Sequence, residues 1–515
     1  MNCDFIKNDK KLFKFLRIFF YTAYFLGLLI ILWYSIRHPN DGLTTKDVTS
    51  YSLLFLAFPV ALTFVLFHPE KFLAKYSKFI FPCFLIVYGI FLYWLFRNVY
   101  GQAFGDQRNV LDLALDLGGY GESDSWTYIA RFRNNAFSVI YLGALFRICH
   151  MLGLNDVYNF SIFFNVIQVL LALWAVYDLG HYSKKHPECV GWTAVLLIAT
   201  FFPVYTHMQS LYTDAFSFCW GVLATAVWMR LYTKSDRKIK FIIGNICAAL
   251  FWIIGASFKF TVLISFIALL IASIFFLSRK DILRNLVFGL LPIIVGLTIL
   301  NSVYDLLPIG EYRDSWRYPG FSYFIAIGLK GDGSFTSGEE YFYSVGGIYG
   351  YEAKQEFTKR YIADNIDAFW NKDHLVAKAV YNFSSGEMMG RDFLWNNFGP
   401  IKLSDIVTGS HAKEYRSRIT NYWFVLLGIM TLGVAMMAGK EIRGFKDLDP
   451  RSKEDFLRFV IVLTMAGLML YLMLGEANNR QLFNHVPWFM LCVSYTMCDI
   501  IASFKPGKKL NAEEN

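Results

Sequence analysis

The residues of this chain with the most chemical potential are charged groups set beside or inside long apolar runs. Asp106 stands in Gly-Asp-Gln just ahead of a helical pattern, and Arg131 and Arg133 stand two apart in YIARFRNNAFSVIYLGALFRI. SLYTD puts Tyr212 and Asp214 at the head of another apolar run, SFKFTVLI sets Lys259 inside one, and GEANNRQLFNHVP carries Glu476 and Arg480. Charges in or at the edge of a bilayer are expensive, and by default they are functional candidates. A carboxylate such as Asp106 can accept the proton of a hydroxyl. Arginine offers rigid, permanently charged donors that match phosphate oxygens.

Each of these residues also has a plainer role. Asp106 suits a helix N-cap, worth about 1 kcal/mol. Arg131 and Arg133 have Asp124 and Glu122 near them in sequence as ion-pair partners. Lys259 can snorkel to an interface. Glu476 and Arg480 stand four apart, a spacing that suits a helix-end ion pair.

The elements that position these groups are membrane spans. Of the 515 residues, 56% are hydrophobic and 18% aromatic, with a mean hydropathy of +0.39. Roughly 20 apolar residues cross a bilayer as a helix, and the apolar runs are expected near 12–36, 50–68, 77–97, 157–181, 189–206, 212–232, 240–256, 259–278, 283–304, 420–438, 455–474 and 485–503. The fold class expected is an all-α polytopic membrane protein with about 12 transmembrane helices. One long apolar run divides at Ser257–Lys259.

The net charge of +9 is spread over short loops, which is not a nucleic-acid footprint. Lys7–Lys14, Lys71–Lys78, Lys184–Lys185, Lys234–Lys240, Arg279–Arg284, Lys440–Arg458 and Lys505–Lys509 fall in alternate loops, and the positive-inside rule makes those loops cytoplasmic. Both termini are then cytoplasmic, and every candidate residue lies on the exterior face of the cell membrane. The first apolar stretch is too long for a cleaved signal peptide. Of the eight cysteines, Cys3 and Cys189 are expected to face the cytoplasm and Cys149 the exterior, with the rest in spans, so no disulfide framework is expected.

Three parts organise the chain: a transmembrane module over 1–304 that includes an exterior loop at 98–156, an exterior loop over 305–419, and C-terminal helices with a tail over 420–515. The first loop shows helical spacing at Val110, Leu111, Ala114, Leu115 and Leu117, ended by Gly118–Gly119, and a second amphipathic stretch at Asn135–His150. Both suit helices lying in the membrane interface. The second loop alternates aromatic and charged residues around Tyr312–Arg317 and predicts an amphipathic helix in Lys354–Trp370. It serves either as a lid over a site or as a scaffold packed on the first loop. Trp126, Tyr128, Trp316 and Tyr318 suit stacking on sugar rings or an ordinary interfacial belt.

These motifs, in this order, resemble the GT-C glycosyltransferases, polytopic enzymes that use polyprenyl-phosphate-linked sugars and include the protein O-mannosyltransferases and the bacterial aminoarabinose transferases. Asp106 in GDQ matches the aspartate that opens an interfacial helix in that superfamily's first exterior loop. YIARFRNNAFSVIYLGALFRI is similar to the Tyr/Arg-Pro/Phe-Asn-Asn segment of envelope members, with Phe132–Arg133 where a proline often sits. SLYTD and SFKFTVLI resemble Tyr-Thr-Glu/Asp and Lys-Pro-Thr elements, with Phe260 for the proline. ANNRQLFNHVPWF resembles an Arg-Tyr-x-x-x-x-Pro segment, keeping Arg480 and Pro487 with Gln481 for the aromatic. Ile327–Phe335 and the Lys378…Gly386 region are similar to a subset of Gram-positive members. Departures are Asp106–Gln107 where many members pair Asp with Glu, and no soluble C-terminal domain.

The resemblance implies transfer of a sugar from a polyprenyl-phosphate donor to an acceptor hydroxyl on the non-cytoplasmic face, with inversion, in cell-envelope glycan, lipid or protein glycosylation. It makes Asp106 the catalytic base and Arg131, Arg133, Lys259 and Arg480 the groups that bind donor phosphate and sugar. Asp124, Tyr128, Asn134, Asn135, Tyr212, Asp214 and Glu476 are supporting polar groups. The partners implied are the lipid-linked donor, a glycan, lipid or protein acceptor, and membrane lipids. No His/Cys metal spacing occurs and no cofactor or resident metal is expected, with a divalent ion at the donor phosphate left open. The rival readings are a polyprenyl-linked sugar flippase or other secondary transporter, and an O-antigen-ligase-like enzyme. Transporters keep ionisable groups at mid-membrane on broken helices within repeated halves, whereas the polar groups here collect at helix ends and no repeat is visible.

Overall fold

The structure, a computed structural model, describes residues 4–39, 42–99, 103, 105–233, 238–310, 312–384, 411–443 and 452–504. Among these residues there are helices and no strand. Eight helices are long and apolar enough to cross a membrane: Leu12–Arg37, Thr45–Phe67, Glu70–Asn98, Val157–Gly180, Arg279–Val303, Ala412–Arg443, Lys453–Leu474 and Asn479–Phe504. The protein is therefore a helical multi-pass membrane protein. Such a chain must satisfy every backbone amide inside its own helices when it crosses lipid.

Four further apolar runs form helices that are shorter or interrupted, and the interruptions have local causes. Pro187–Thr200 stops at Phe201, and a new helix runs Phe202–His207. Pro203 has no amide to continue the ladder, and the Ala199 carbonyl accepts the Tyr88 hydroxyl instead at 3.2 Å. Thr213–Phe216 precedes Trp220–Thr233. The long run splits where the sequence places the division: Lys238–Phe258 ends, Lys259 is extended (φ −154°, ψ 115°), and Phe260–Val262 leads into Leu263–Phe276. Extended backbone in an otherwise apolar helix pair turns the lysine side chain away from lipid and toward its neighbours.

In the first loop the two expected helices are Asp106–Gly118 and Ala136–Met151, packed on each other. Glycines allow the close approach. A Cβ on Gly118 would lie 2.5 Å from the Phe146 Cβ, and one on Gly143 would lie 2.7 Å from the Leu117 Cβ.

The described part of 305–419 is folded. Helices Phe321–Ile327, Glu339–Gly346 and Tyr351–Asp364 gather a core of Tyr318, Tyr323, Ala326, Ile327, Tyr341 and Val345, while Lys372–Phe383 puts Ala379 and Phe383 into the main core. The amphipathic stretch expected at 354–370 is the helix Tyr351–Asp364 followed by the tighter turn Ile366–Trp370. Phe132 of the first loop packs edge-on against Tyr318, with ring centroids 5.5 Å apart. The stretch 385–410, including Gly386, lies outside the described residues.

This unit is latched to the loop before the last span. The Ala477 amide donates to the Gly333 carbonyl at 2.7 Å, and the fully buried Lys378 ammonium donates to the Gly328 carbonyl at 2.8 Å. Gly328 is pressed so close to Gly475 that a Cβ would lie 2.2 Å from the Gly475 carbonyl oxygen. That oxygen belongs to backbone and cannot swing aside. Gly328→Ala is expected to destabilise by about 1–3 kcal/mol through overpacking, and to speed limited proteolysis within 305–384. An unchanged digestion pattern and melting temperature would show that the latch is loose.

At the helix ends next to the basic loops, buried ion pairs join distant spans. Arg17 meets Glu441 at 3.1 Å, and Arg458 meets Glu454 at 2.7 Å and Asp499 at 2.8 Å. The sequence reading treats Arg458 as part of a basic loop, but the structure buries it. Cys189 likewise does not face outward: it is buried with its Sγ 3.2 Å from that of Cys498, and both are free thiols.

Candidate functional site

Asp106 owes its position to Gly105. The glycine has φ +52°, a left-handed value that costs little without a Cβ, and it is the residue that caps the helix. Asp106 is therefore the first helical residue and not an N-cap, and no side chain caps this helix end. The carboxylate is exposed, and its negative charge is favoured by the helix N-terminus. Its Oδ2 lies 3.5 Å from the Tyr212 hydroxyl, which is oriented to donate. Tyr128 lies close enough to Asp106 and Tyr212 to feel both, and its hydroxyl accepts from Asn135 Nδ2 at 2.6 Å. Burial, then the charges of Tyr212 and Asp106, push the Tyr128 phenol far above its ordinary pKa, so it stays a neutral hydrogen-bonding group.

Tyr212 leads directly to a second cluster. Asp214, two residues on, is 1% exposed. Its Oδ1 receives the Lys259 ammonium, and its Oδ2 lies 3.3 Å from Arg480 Nε. The Arg480 guanidinium stands 5.6 Å from the centre of the Tyr212 ring. The break before Trp220–Thr233, the extended residue at 259 and the turn opening Asn479–Phe504 thus deliver their charges to one point. His207 stacks on Phe483 at 4.0 Å behind it.

Glu476 completes the group. Asn478 Nδ2 donates to it at 3.4 Å, and it feels Arg480, Asp106, Lys259 and Lys378 electrostatically. Burial lifts its carboxyl to about 7, against the pull of Arg480. Arg480 is held by Asp214, and Glu476, four residues before it, feels the same guanidinium.

No protein-family model, curated protein or solved structure matches this chain. Function is therefore read from the site itself.

The four cations expected to act together fall into two groups. Lys259 and Arg480 meet at Asp214. Arg131 lies over the Trp316 ring at 4.3 Å, and Arg133 over the Tyr304 ring at 3.9 Å with a hydrogen bond to the Asn301 carbonyl at 2.8 Å. Neither arginine forms an ion pair with Asp124 or Glu122. Asp124 is exposed on the turn before Trp126–Arg131, and Asn134 is exposed with its amide 3.4 Å from Asn135 Oδ1. The remaining expected residues, Asp106, Tyr128, Asn135, Tyr212, Asp214, Lys259, Glu476 and Arg480, form one continuous network.

Sequence reasoning missed three contributors to this region. Tyr323 feels both Asp106 and Glu476 and carries no local signal. Lys354 and Lys378 are both 0% exposed; the sequence set Lys378 at the head of a stretch similar to Gram-positive members without giving it a place in the site, and Lys354 only at the start of an amphipathic helix. Among the described residues, no group of three or more His, Cys, Asp or Glu side chains is placed to hold a metal. Asp214 is already engaged by two cations, which leaves Asp106 and Glu476 too few for a protein-built metal sphere.

The elevated Glu476 pKa gives a pH signature. Below about 7 the carboxyl is neutral, and Lys259 and Arg480 against Asp214 leave one net positive charge. Above about 7 Glu476 ionises and cancels it. Binding of a singly charged phosphodiester is expected to weaken as pH rises through 7, and Glu476→Gln to flatten that dependence. The folded pKa lies above the ordinary 4.5, so stability from this group is full below 4.5 and is lost as pH rises through 7. Titrating the affinity for a phosphodiester between pH 6 and about 8 tests the sign; affinity that rises with pH would refute it.

Proposed function

We propose that this protein transfers a sugar from a polyprenyl-phosphate-linked donor to an acceptor hydroxyl, with inversion, on the non-cytoplasmic face of the membrane. One observation carries the reading. An exposed carboxylate, Asp106, shares a hydroxyl network with Tyr212 and Tyr128, and that network runs into the Lys259–Asp214–Arg480 cluster at the ends of apolar helices.

The chemistry follows from charge. An acceptor hydroxyl needs a base within about 3 Å in the reactive complex, and Asp106 offers one carboxylate oxygen beyond the one facing Tyr212. Positive charge develops on the sugar as the bond to phosphate breaks. The leaving lipid phosphate gathers negative charge, which Lys259 and Arg480 stabilise more in the transition state than in the ground state. Asp214 is a positioning residue that holds both cations. Direct displacement by the acceptor hydroxyl, with Asp106 as the single base, gives inversion. Twelve spans belong to the same proposal: the eight long helices plus the four shorter or interrupted ones, with both termini cytoplasmic.

The test is transfer from a panel of radiolabelled polyprenyl-phosphate sugars into membranes carrying wild type or Asp106→Asn. Label reaching an acceptor only with wild type supports the proposal. Label that moves across the bilayer without transfer would favour a flippase.

A further inference from the structure

Beside the network, and outside the cluster at Asp214, lies a concentration of positive charge with almost nothing to neutralise it. Arg131 stands over Trp316, with the Lys354 ammonium 5.8 Å from the centre of the same ring. Arg133 and Arg313 stand 3.9 Å and 6.0 Å from the centre of Tyr304, and Arg317 stands 4.2 Å from that of Tyr351. Among the described residues, Asp305, 3.5 Å from Arg313, is the one carboxylate that pairs with any of these five cations. Arg133 and Arg317 are close enough to repel each other. Lys354 is 0% exposed, with its Nζ donating to the Ser315 carbonyl at 3.1 Å.

A buried cation without a counter-ion, as Lys354 is, is costly, and the half-buried arginines gathered beside it add like-charge repulsion. Aromatic faces recover part of it, but neutral rings do not cancel a net charge of this size. The Asp214 cluster keeps about one net positive charge, which suits one phosphodiester. The shelf keeps about four, which does not.

We propose that this shelf seats the acceptor, and that the acceptor is a polyanion, a glycan bearing phosphate groups. The word acceptor rests on the transferase reading above; the anion site rests on the shelf alone. Position favours an acceptor. Arg131 and Tyr128 share the helix Trp126–Arg131, and Phe132 packs on Tyr128, Tyr318 and Tyr323. A chain held by the shelf therefore lies next to the network that contains Asp106. The guanidinium edges are the donors that match phosphate oxygens.

The test uses the full-length protein in phosphatidylcholine nanodiscs, with two probes: a synthetic glycerol-phosphate oligomer and a neutral dextran oligomer. Wild type is expected to bind the phosphate oligomer, more weakly as salt rises, and not the dextran. Arg317→Gln, a half-buried position, is expected to weaken binding about tenfold, the loss of one charge-assisted contact. Lys354→Met should weaken it at least as much, with thermal unfolding checked in parallel because this side chain is buried. Equal binding of the dextran, or binding unmoved by Arg317→Gln, would overturn the inference. So would phosphatidylglycerol retained by wild type and lost by Arg317→Gln with no oligomer binding, which would give the shelf to a lipid headgroup. Binding is read without turnover, so a protein that binds the oligomer but moves no sugar fails the transferase reading and leaves the anion site standing.

Discussion

Asp106→Asn is expected to lower transfer on the order of a thousandfold while leaving the melting temperature nearly unchanged. Asparagine keeps the shape of the carboxylate and an oxygen that accepts from the Tyr212 hydroxyl, whose contact is 3.5 Å. It removes the basicity. Because Asp106 is exposed and forms no cap, the substitution leaves no buried charge without a partner, and the fold has little reason to respond. The outcome separates two roles that look alike in sequence. A helix-capping aspartate would give a stability loss near 1 kcal/mol and intact turnover; a base gives the reverse. Initial rates of label transfer, together with thermal unfolding in the same detergent, decide between them. Turnover at wild-type rate would remove Asp106 from the chemistry.

The sequence exposed the residues of the network but not their pairing, and the reason is physical. Asp106, Tyr212, Asp214, Lys259 and Arg480 announce themselves because polar groups stand out against apolar helices. Which cation meets which carboxylate depends on how interrupted helices bring residues more than 200 positions apart to one point, and no local spacing encodes that. The i,i+4 rule favoured Glu476 with Arg480, yet tertiary packing gave Arg480 to Asp214. The long apolar helices were legible because hydropathy marks them, whereas Phe321–Ile327, Glu339–Gly346 and Lys372–Phe383 were not read from the sequence. The break at Lys259 was legible from the lysine; the break after Thr200 followed from Pro203 but lay inside a stretch read as one span. The basic shelf was only half visible. Arg131, Arg133, Arg313, Trp316 and Arg317 show in sequence as alternation, whereas the placement of Lys354 and Tyr304 among them requires the fold of 305–384.

Asp214→Ala is expected to cost about 3–5 kcal/mol, the penalty for breaking a buried ion pair by removing one partner. Here one carboxylate, 1% exposed, serves two cations, so its loss removes the ion-pair partner of Lys259 and one partner of Arg480. Lys259 sits on extended backbone at the break between two helices, and Arg480 lies at the opening of a short tight helix; Asp214 bridges the two. The melting temperature is expected to fall by several degrees, and on the proposed reaction transfer falls with it, because a leaving phosphate would lose two positioned charges. A structural role alone would explain the first effect, so the second needs its own readout. In Asp214→Asn the amide keeps the shape and one acceptor oxygen, and stability is expected to recover in part. Transfer is not expected to recover in proportion, since a neutral amide cannot hold both cations. Adding Lys259→Met to Asp214→Ala removes one stranded charge and should restore stability further while leaving the protein inactive. Stability and transfer that rise and fall together through all three variants would reduce the cluster to a brace; stability that recovers without transfer places Lys259 and Arg480 in the reaction.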